Sequence, residues 1–178
     1  MKPSEYKEKL IAWNSTEKYK KELEFLCKLI DPKRGQKILD YGCGTGYAMK
    51  HLHYAHDCEV FGYDVNRELY MWDEFRLRTE LYFKVNTVFF NHSIAHIEYP
   101  PLTRLREEFM ERDGRLVIIT PNADWLDPGY NNDSTVVRHH TLASLRELVE
   151  RAGFTVEYIG QFGEVRGNVN ERIFLTAK

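Results

Sequence analysis

The chain opens on two stretches whose apolar residues recur at helical spacing. In the second, Tyr19, Leu23, Leu26 and Ile30 share one face, Ser15 or Thr16 marks the start and Asp31-Pro32 the end. The period then changes. Residues 37–41 are a short, nearly continuous apolar run, as in a strand buried on both faces, and a helical stretch follows to about His56. Residues 59–64 predict a second strand, and residues 67–83, carrying Leu69, Tyr70, Trp72, Phe75, Leu77 and Leu81, a helix. Strands over 87–92 and 115–120 flank a helix marked by Leu102, Leu105 and Phe109. An irregular segment rich in Asn, Asp and Gly spans 122–138. Beyond it, Thr141 caps a helix carrying Leu142, Leu145, Leu148 and Val149 that stops at Gly153. Residues 154–159 and 172–177 predict two closing strands, an antiparallel pair joined by a loop of roughly ten residues.

Strands alternating with helices predict an α/β fold: a mostly parallel sheet with an antiparallel last strand and helices on both faces. A chain of 178 residues suits one domain over 1–178, a helical lead-in at 1–34 preceding a core at 35–178. A net charge of -2 leaves no basic face for a nucleic-acid backbone, so a nucleic-acid partner is not expected. No stretch has the ~20 apolar residues that span a bilayer, and MKPSEYKEKL has no apolar core of leader length. A soluble, cytoplasmic protein without a membrane partner is the expectation. Cys27, Cys43 and Cys58 have no CxxC spacing and read as reduced thiols.

The candidate chemistry begins at Gly42-Cys43-Gly44-Thr45-Gly46, between the first predicted strand and its helix. Glycines there let a ligand approach the backbone closely. Their spacing departs from the dinucleotide fingerprint, where Tyr47 would have to be glycine, and the Gly-Lys-Ser/Thr ending of a phosphate loop is missing. NAD and nucleoside triphosphates are therefore disfavoured. From the residues alone the glycines also suit a tight turn, and Asp64 a helix cap.

The stretch Ile38-Leu39-Asp40-Tyr41-Gly42-Cys43-Gly44-Thr45-Gly46 resembles the first motif of the class I S-adenosylmethionine-dependent methyltransferases. Residues 87–97, 114–122 and 140–154 resemble that family's fourth-strand, fifth-strand and late-helix motifs, so the likeness runs over nearly everything from Lys37 on. It implies a Rossmann-like methyltransferase fold and S-adenosylmethionine as cofactor, with S-adenosylhomocysteine as product. Asp40, Tyr41, Gly42, Cys43, Gly44, Gly46, Asp64, Val65 and Asn91 would bind the cofactor, Asp64 through the ribose hydroxyls. It also implies methyl transfer to a small-molecule acceptor.

Two departures bear on this. The predicted helix at 67–83 leaves little room for the strand the family places next, so an edge strand is missing or vestigial and the adenine end is incomplete or rebuilt from Asn86, Asn91 or His92. Ala95 stands where many such enzymes have Glu before His. The alternative reading is a degenerate cofactor-binding or interaction module without transfer. A bare edge beside Asp64 would suit a homodimer.

In-line methyl transfer needs alignment of the nucleophile and, for a hydroxyl acceptor, a base, usually histidine. His96, His92 and His140 are the candidates, each also suited to capping or packing. Trp13, Trp125 and Tyr130 are candidates for an apolar acceptor wall. His51, His53, His56 and Cys58 lack a second ligand pair of zinc-site spacing, and no metal is expected.

Overall fold

The computed structural model describes residues 3–72, 76–77, 83–125 and 135–178. Helices α1 (Pro3–Asn14) and α2 (Glu17–Ile30) form the lead-in. Thr16 caps α2, its hydroxyl accepting from the Tyr19 N–H, and Asp31 ends it in the left-handed conformation. The core follows as β1 (Lys37–Tyr41), α3 (Tyr47–His56), β2 (Glu59–Tyr63), β3 (Arg76–Leu77) and β4 (Val85–Asn91). Next come α4 (Leu102–Arg104), running into a π-turn at Leu105–Phe109, then β5 (Met110–Pro121), α5 (Leu142–Arg151), β6 (Val156–Arg166) and β7 (Val169–Ala177). Thr141 and Ser144 form a reciprocal capping box at the start of α5.

The seven strands among the described residues lie in the order β3-β2-β1-β4-β5-β7-β6. Neighbours are parallel except where β7 runs antiparallel to both β5 and β6. Strand residues are apolar on both sides because both faces are covered. Leu39, Val88, Phe90, Leu116 and Ile118 pack with Leu102, Leu105, Leu145 and Val149 on one face. Ile38, Val60, Phe89, Val117 and Ile119 pack on the other with Leu23, Leu26 and Ile30 of α2 and Met49 and Leu52 of α3. The predicted α/β architecture, with its single antiparallel strand, is the one observed.

Two local readings are corrected. Within 67–83, the described residues contain only a 3-10 turn at Arg67–Leu69 and the two-residue strand β3, which pairs with Phe61 and Gly62. The aromatic residues that mimic a helical face are engaged elsewhere: Tyr70 and Trp72 lie so close to Gly46 that a Cβ there would stand 2.7 Å and 2.9 Å from them. The edge strand is thus present as a stub; Phe75 and Leu81 lie outside the described residues. The expected ten-residue loop before the last strand is a two-residue turn, Gly167-Asn168, because β6 and β7 continue as a polar, exposed ribbon.

Candidate functional site

The strand order reverses between β1 and β4: the chain proceeds from β1 to β2 on one side, and from β4 to β5 on the other. Ligands of such sheets bind beyond the carboxyl ends of the strands at this switch point. A cavity of about 1000 Å³ lies there, and α1 forms part of its wall. Lys7 Nζ donates to the carbonyls of Glu68 and Tyr70, and Asn14 Nδ2 donates to Thr45 Oγ1 at 2.7 Å, so α1 is anchored to both sides of the opening.

The glycine loop turns out of β1 into this cavity. The N–H groups of Gly42 and Cys43 donate to the Tyr63 carbonyl at 2.7 and 3.1 Å, tying the loop to the end of β2. Gly42 has φ 83°, and a Cβ on it would stand 2.3 Å from Ser93 Cβ, so both backbone and space require glycine. At Gly44 a Cβ would meet only Leu10, at 3.4 Å. The Gly44 N–H donates to Asp64 Oδ2 at 2.8 Å, and Asp64 Oδ1 accepts from the Asn66 N–H at 2.8 Å. Each Asp64 oxygen keeps lone pairs for a further donor. Tyr41 stacks on Tyr63 with ring centroids 4.6 Å apart.

Of the predicted cofactor residues, Asp40, Tyr41, Gly42, Cys43, Gly44, Asp64, Val65 and Asn91 all line the cavity, and Gly46 starts α3 beside it with φ 80°. Asn91 Oδ1 is buried and has no partner among the described residues, as expected of an acceptor awaiting a donor. Asn86 is excluded from the site: it caps the other end of the sheet by accepting from the Lys37 N–H. Burial pushes the Cys43 thiol up, and Asp40 and Asp64 add to that, so it stays protonated and inert.

Asp40 is 2% exposed, and burial, then the nearby Asp64, raise its carboxyl well above the usual range. A raised carboxyl favours folding only while protonated; as pH climbs through its folded-state value, an ionised group must stay buried and stability falls. Asp40→Asn is therefore expected to match the parent below about pH 4 and to melt a few degrees higher at neutral pH, ~1 kcal/mol being worth ~2–4 °C at this size. Thermal melts across pH test this; a variant less stable at pH 7 would contradict it.

His92 and His96 both line the cavity. His96 Nδ1 stands 2.9 Å from the Thr135 carbonyl and 3.0 Å from the Thr135 hydroxyl; donation to the carbonyl, which can only accept, keeps the lone pair of the neutral ring on Nε2. His92, at φ 61°, places Nε2 2.6 Å from Glu22 Oε1, leaving Nδ1 as the acceptor of the neutral ring. Glu22 also faces Arg172, Nε to Oε2 at 3.5 Å, and Arg172 Nη1 pairs with Glu171 at 2.9 Å. Burial alone would push the Glu22 carboxyl up; His92 and Arg172 more than offset that and hold it below the usual range. His140 lies apart from the cavity lining. It is 1% exposed, and burial, then Arg138 and His139, lower it to about 4, so it is neutral at pH 7.

Trp13 lines the cavity, whereas Trp125 is buried outside the lining with Arg166 4.0 Å over its ring. Tyr130 lies outside the described residues. The sequence reading missed Glu22, Arg172 and Tyr19. Glu22 is the signal that was available, a carboxylate on the apolar face of an amphipathic helix.

A Gly-x-Gly-x-Gly loop after the first strand, an acidic residue just past the second, and a sheet in the order β3-β2-β1-β4-β5-β7-β6 with β7 antiparallel are together the arrangement of the class I S-adenosylmethionine-dependent methyltransferases. The methyltransferase domain family matches residues 11–159, most of the chain, and the chain belongs to it. None of the curated proteins matches it in sequence. A SAM dependent methyltransferase from Aquifex aeolicus superposes with TM-score 0.71 at 18% identity, covering 99% of this chain and 98% of that one. One from Archaeoglobus fulgidus has TM-score 0.70 at 17% identity, covering 89% and 92%. Geranyl diphosphate C-methyltransferase from Streptomyces coelicolor, in complex with Mg2+, geranyl diphosphate and S-adenosyl-L-homocysteine, has TM-score 0.67 at 15% identity, covering 89% and 80%.

Proposed function

We propose that this chain transfers a methyl group from S-adenosylmethionine to a small-molecule acceptor bound in the same cavity. One observation carries the reading: the glycine loop, Asp64 and two oriented histidines open into a single space at the strand ends. Its volume is at the upper end of the range for small-ligand sites, and its walls carry Tyr6, Trp13, Tyr19 and Tyr47. The related fold of geranyl diphosphate C-methyltransferase, which holds a small acceptor, supports the same class.

S-adenosylmethionine supplies an electrophilic methyl on a sulfonium. The backbone of Gly42 and Gly44 would lie against it, Asp64 would accept from its ribose hydroxyls, and Asp40 would take its ammonium group. That contact would favour the ionised carboxylate. For a hydroxyl acceptor, His92 would take the hydroxyl proton as the oxygen receives the methyl group, which the cofactor would give up with release of its neutral thioether. Glu22 holds the His92 ring and stabilises its positive charge, the part an orienting carboxylate plays beside a general base. His96 offers Nε2 to the acceptor.

Calorimetric titration with S-adenosylhomocysteine and S-adenosylmethionine tests the cofactor half, and detection of S-adenosylhomocysteine over a panel of small hydroxyl and amine compounds tests transfer. His92→Asn is expected to lower kcat by roughly 10²–10⁴ on a hydroxyl acceptor, with cofactor affinity little changed. The deficit shrinks as pH rises towards the acceptor's own ionisation. Tight binding with no turnover on any acceptor would favour the cofactor-binding module instead.

A further inference from the structure

A second cluster lies at the opposite end of the sheet, where α2 and α3 finish beside the starts of β1 and β2. Cys27, in the last turn of α2, faces His51 and His56 of α3, and the sulfur and one nitrogen from each ring lie within 4.8 Å of one another. Nothing in the methyl-transfer site uses them. We propose that Cys27, His51 and His56 bind a borderline-soft divalent transition metal ion of the zinc type, which ties the lead-in helix α2 to the core.

Three features argue for a cation of this kind. One thiolate and two imidazoles form a donor set that zinc-like ions take and magnesium or calcium do not. Zn–S near 2.3 Å and Zn–N near 2.0–2.1 Å put tetrahedral ligand atoms ~3.3–3.6 Å apart, so side-chain rotations drawing the donors in by about 1 Å close the site. Cys27 and His56 stand in the last turns of α2 and α3, and helix carboxyl ends carry partial negative charge that favours a positive ion. A fourth position is open to water or to Glu24, which lies one turn before Cys27 and acts electrostatically on both Cys27 and His51. His53 stands outside this group of three, and its Nδ1 lies 3.0 Å from the Cys58 carbonyl. Sequence spacing does not reveal the site because its thiol comes from another helix.

The test uses the full chain without a polyhistidine tag, stripped with a chelator and titrated with Co2+. The expected result is saturation at one equivalent, with thiolate charge-transfer absorption in the near ultraviolet and the visible bands of four-coordinate cobalt, displaced by Zn2+ but not by Mg2+. Zn2+ should also raise the melting temperature. Cys27→Ser should abolish the near-ultraviolet band and the thermal shift, while Cys58→Ala keeps both. His56→Gln, at a less buried ligand, should weaken binding with the circular dichroism spectrum unchanged, which keeps the test valid if Cys27→Ser fails to fold. Absence of a saturable thiolate band, or its persistence in Cys27→Ser, overturns the proposal.

Discussion

Asp64→Ala is expected to weaken S-adenosylhomocysteine binding by about 100-fold or more, the largest loss at any cofactor contact. Both carboxylate oxygens already accept a backbone N–H, from Gly44 and Asn66, each at 2.8 Å. The side chain therefore orders the glycine loop while its remaining lone pairs face the cavity. Two charge-assisted bonds to ribose hydroxyls contribute ~1.5–3 kcal/mol each, and each 1.4 kcal/mol is tenfold in affinity. Asp64→Asn keeps one acceptor oxygen but sets a donor against a donor at the other, so an intermediate loss of roughly tenfold is expected. Calorimetry on the two variants, with melts of the unliganded proteins to show that both fold, separates a lost contact from a lost fold. Affinity unchanged in Asp64→Ala would place the ribose elsewhere and remove the main support for the proposed pose.

How much of this was legible follows from the range of the interactions. Buried strands announce themselves locally: the apolar runs at 37–41 and 87–92 are continuous because α2 and α3 cover one face of the sheet, and α4 and α5 the other. Caps are local too, and Thr16 and Thr141 stand where their helices begin. The glycine spacing was readable because Gly42 and Gly46 need φ near 80° whatever surrounds them. The misreadings arose where partners lie far along the chain. Tyr70 and Trp72 follow a helical period, yet they pack on Gly46, about two dozen residues earlier. The polar ribbon of β6 and β7 lacks a buried face, so its alternation carries no strand signal. Glu22 shows the same limit at the site. Nothing adjacent explains a carboxylate on that helix face; its partners are His92 and Arg172.

That pairing makes Glu22 the position where substitution should cost most in stability. It is 4% exposed and faces a histidine ring and a guanidinium, and Arg172 in turn holds Glu171, which Lys18 also contacts at 2.7 Å. Removing one member of a buried pair leaves its partner's charge uncompensated, at a cost of ~3–5 kcal/mol, or roughly 6–20 °C in melting temperature for a chain of this length. Glu22→Ala is expected in that range and Glu22→Gln well below it, since the amide still fills the space and accepts from one partner. The pH dependence has a definite sign. A carboxyl held below its usual value stabilises the fold above the unfolded-state value, near 4.5, and that contribution is lost as pH falls through the lower folded-state value. The gap between parent and Glu22→Gln should therefore be full at neutral pH and close on the acid side. Activity adds a second readout: a neutral amide cannot stabilise positive charge on the His92 ring as the carboxylate does, so kcat should fall in Glu22→Gln while S-adenosylhomocysteine still binds. A gap that stays constant from pH 7 to pH 3 would show that Glu22 acts by packing alone, and unchanged kcat would show that its charge does not support His92.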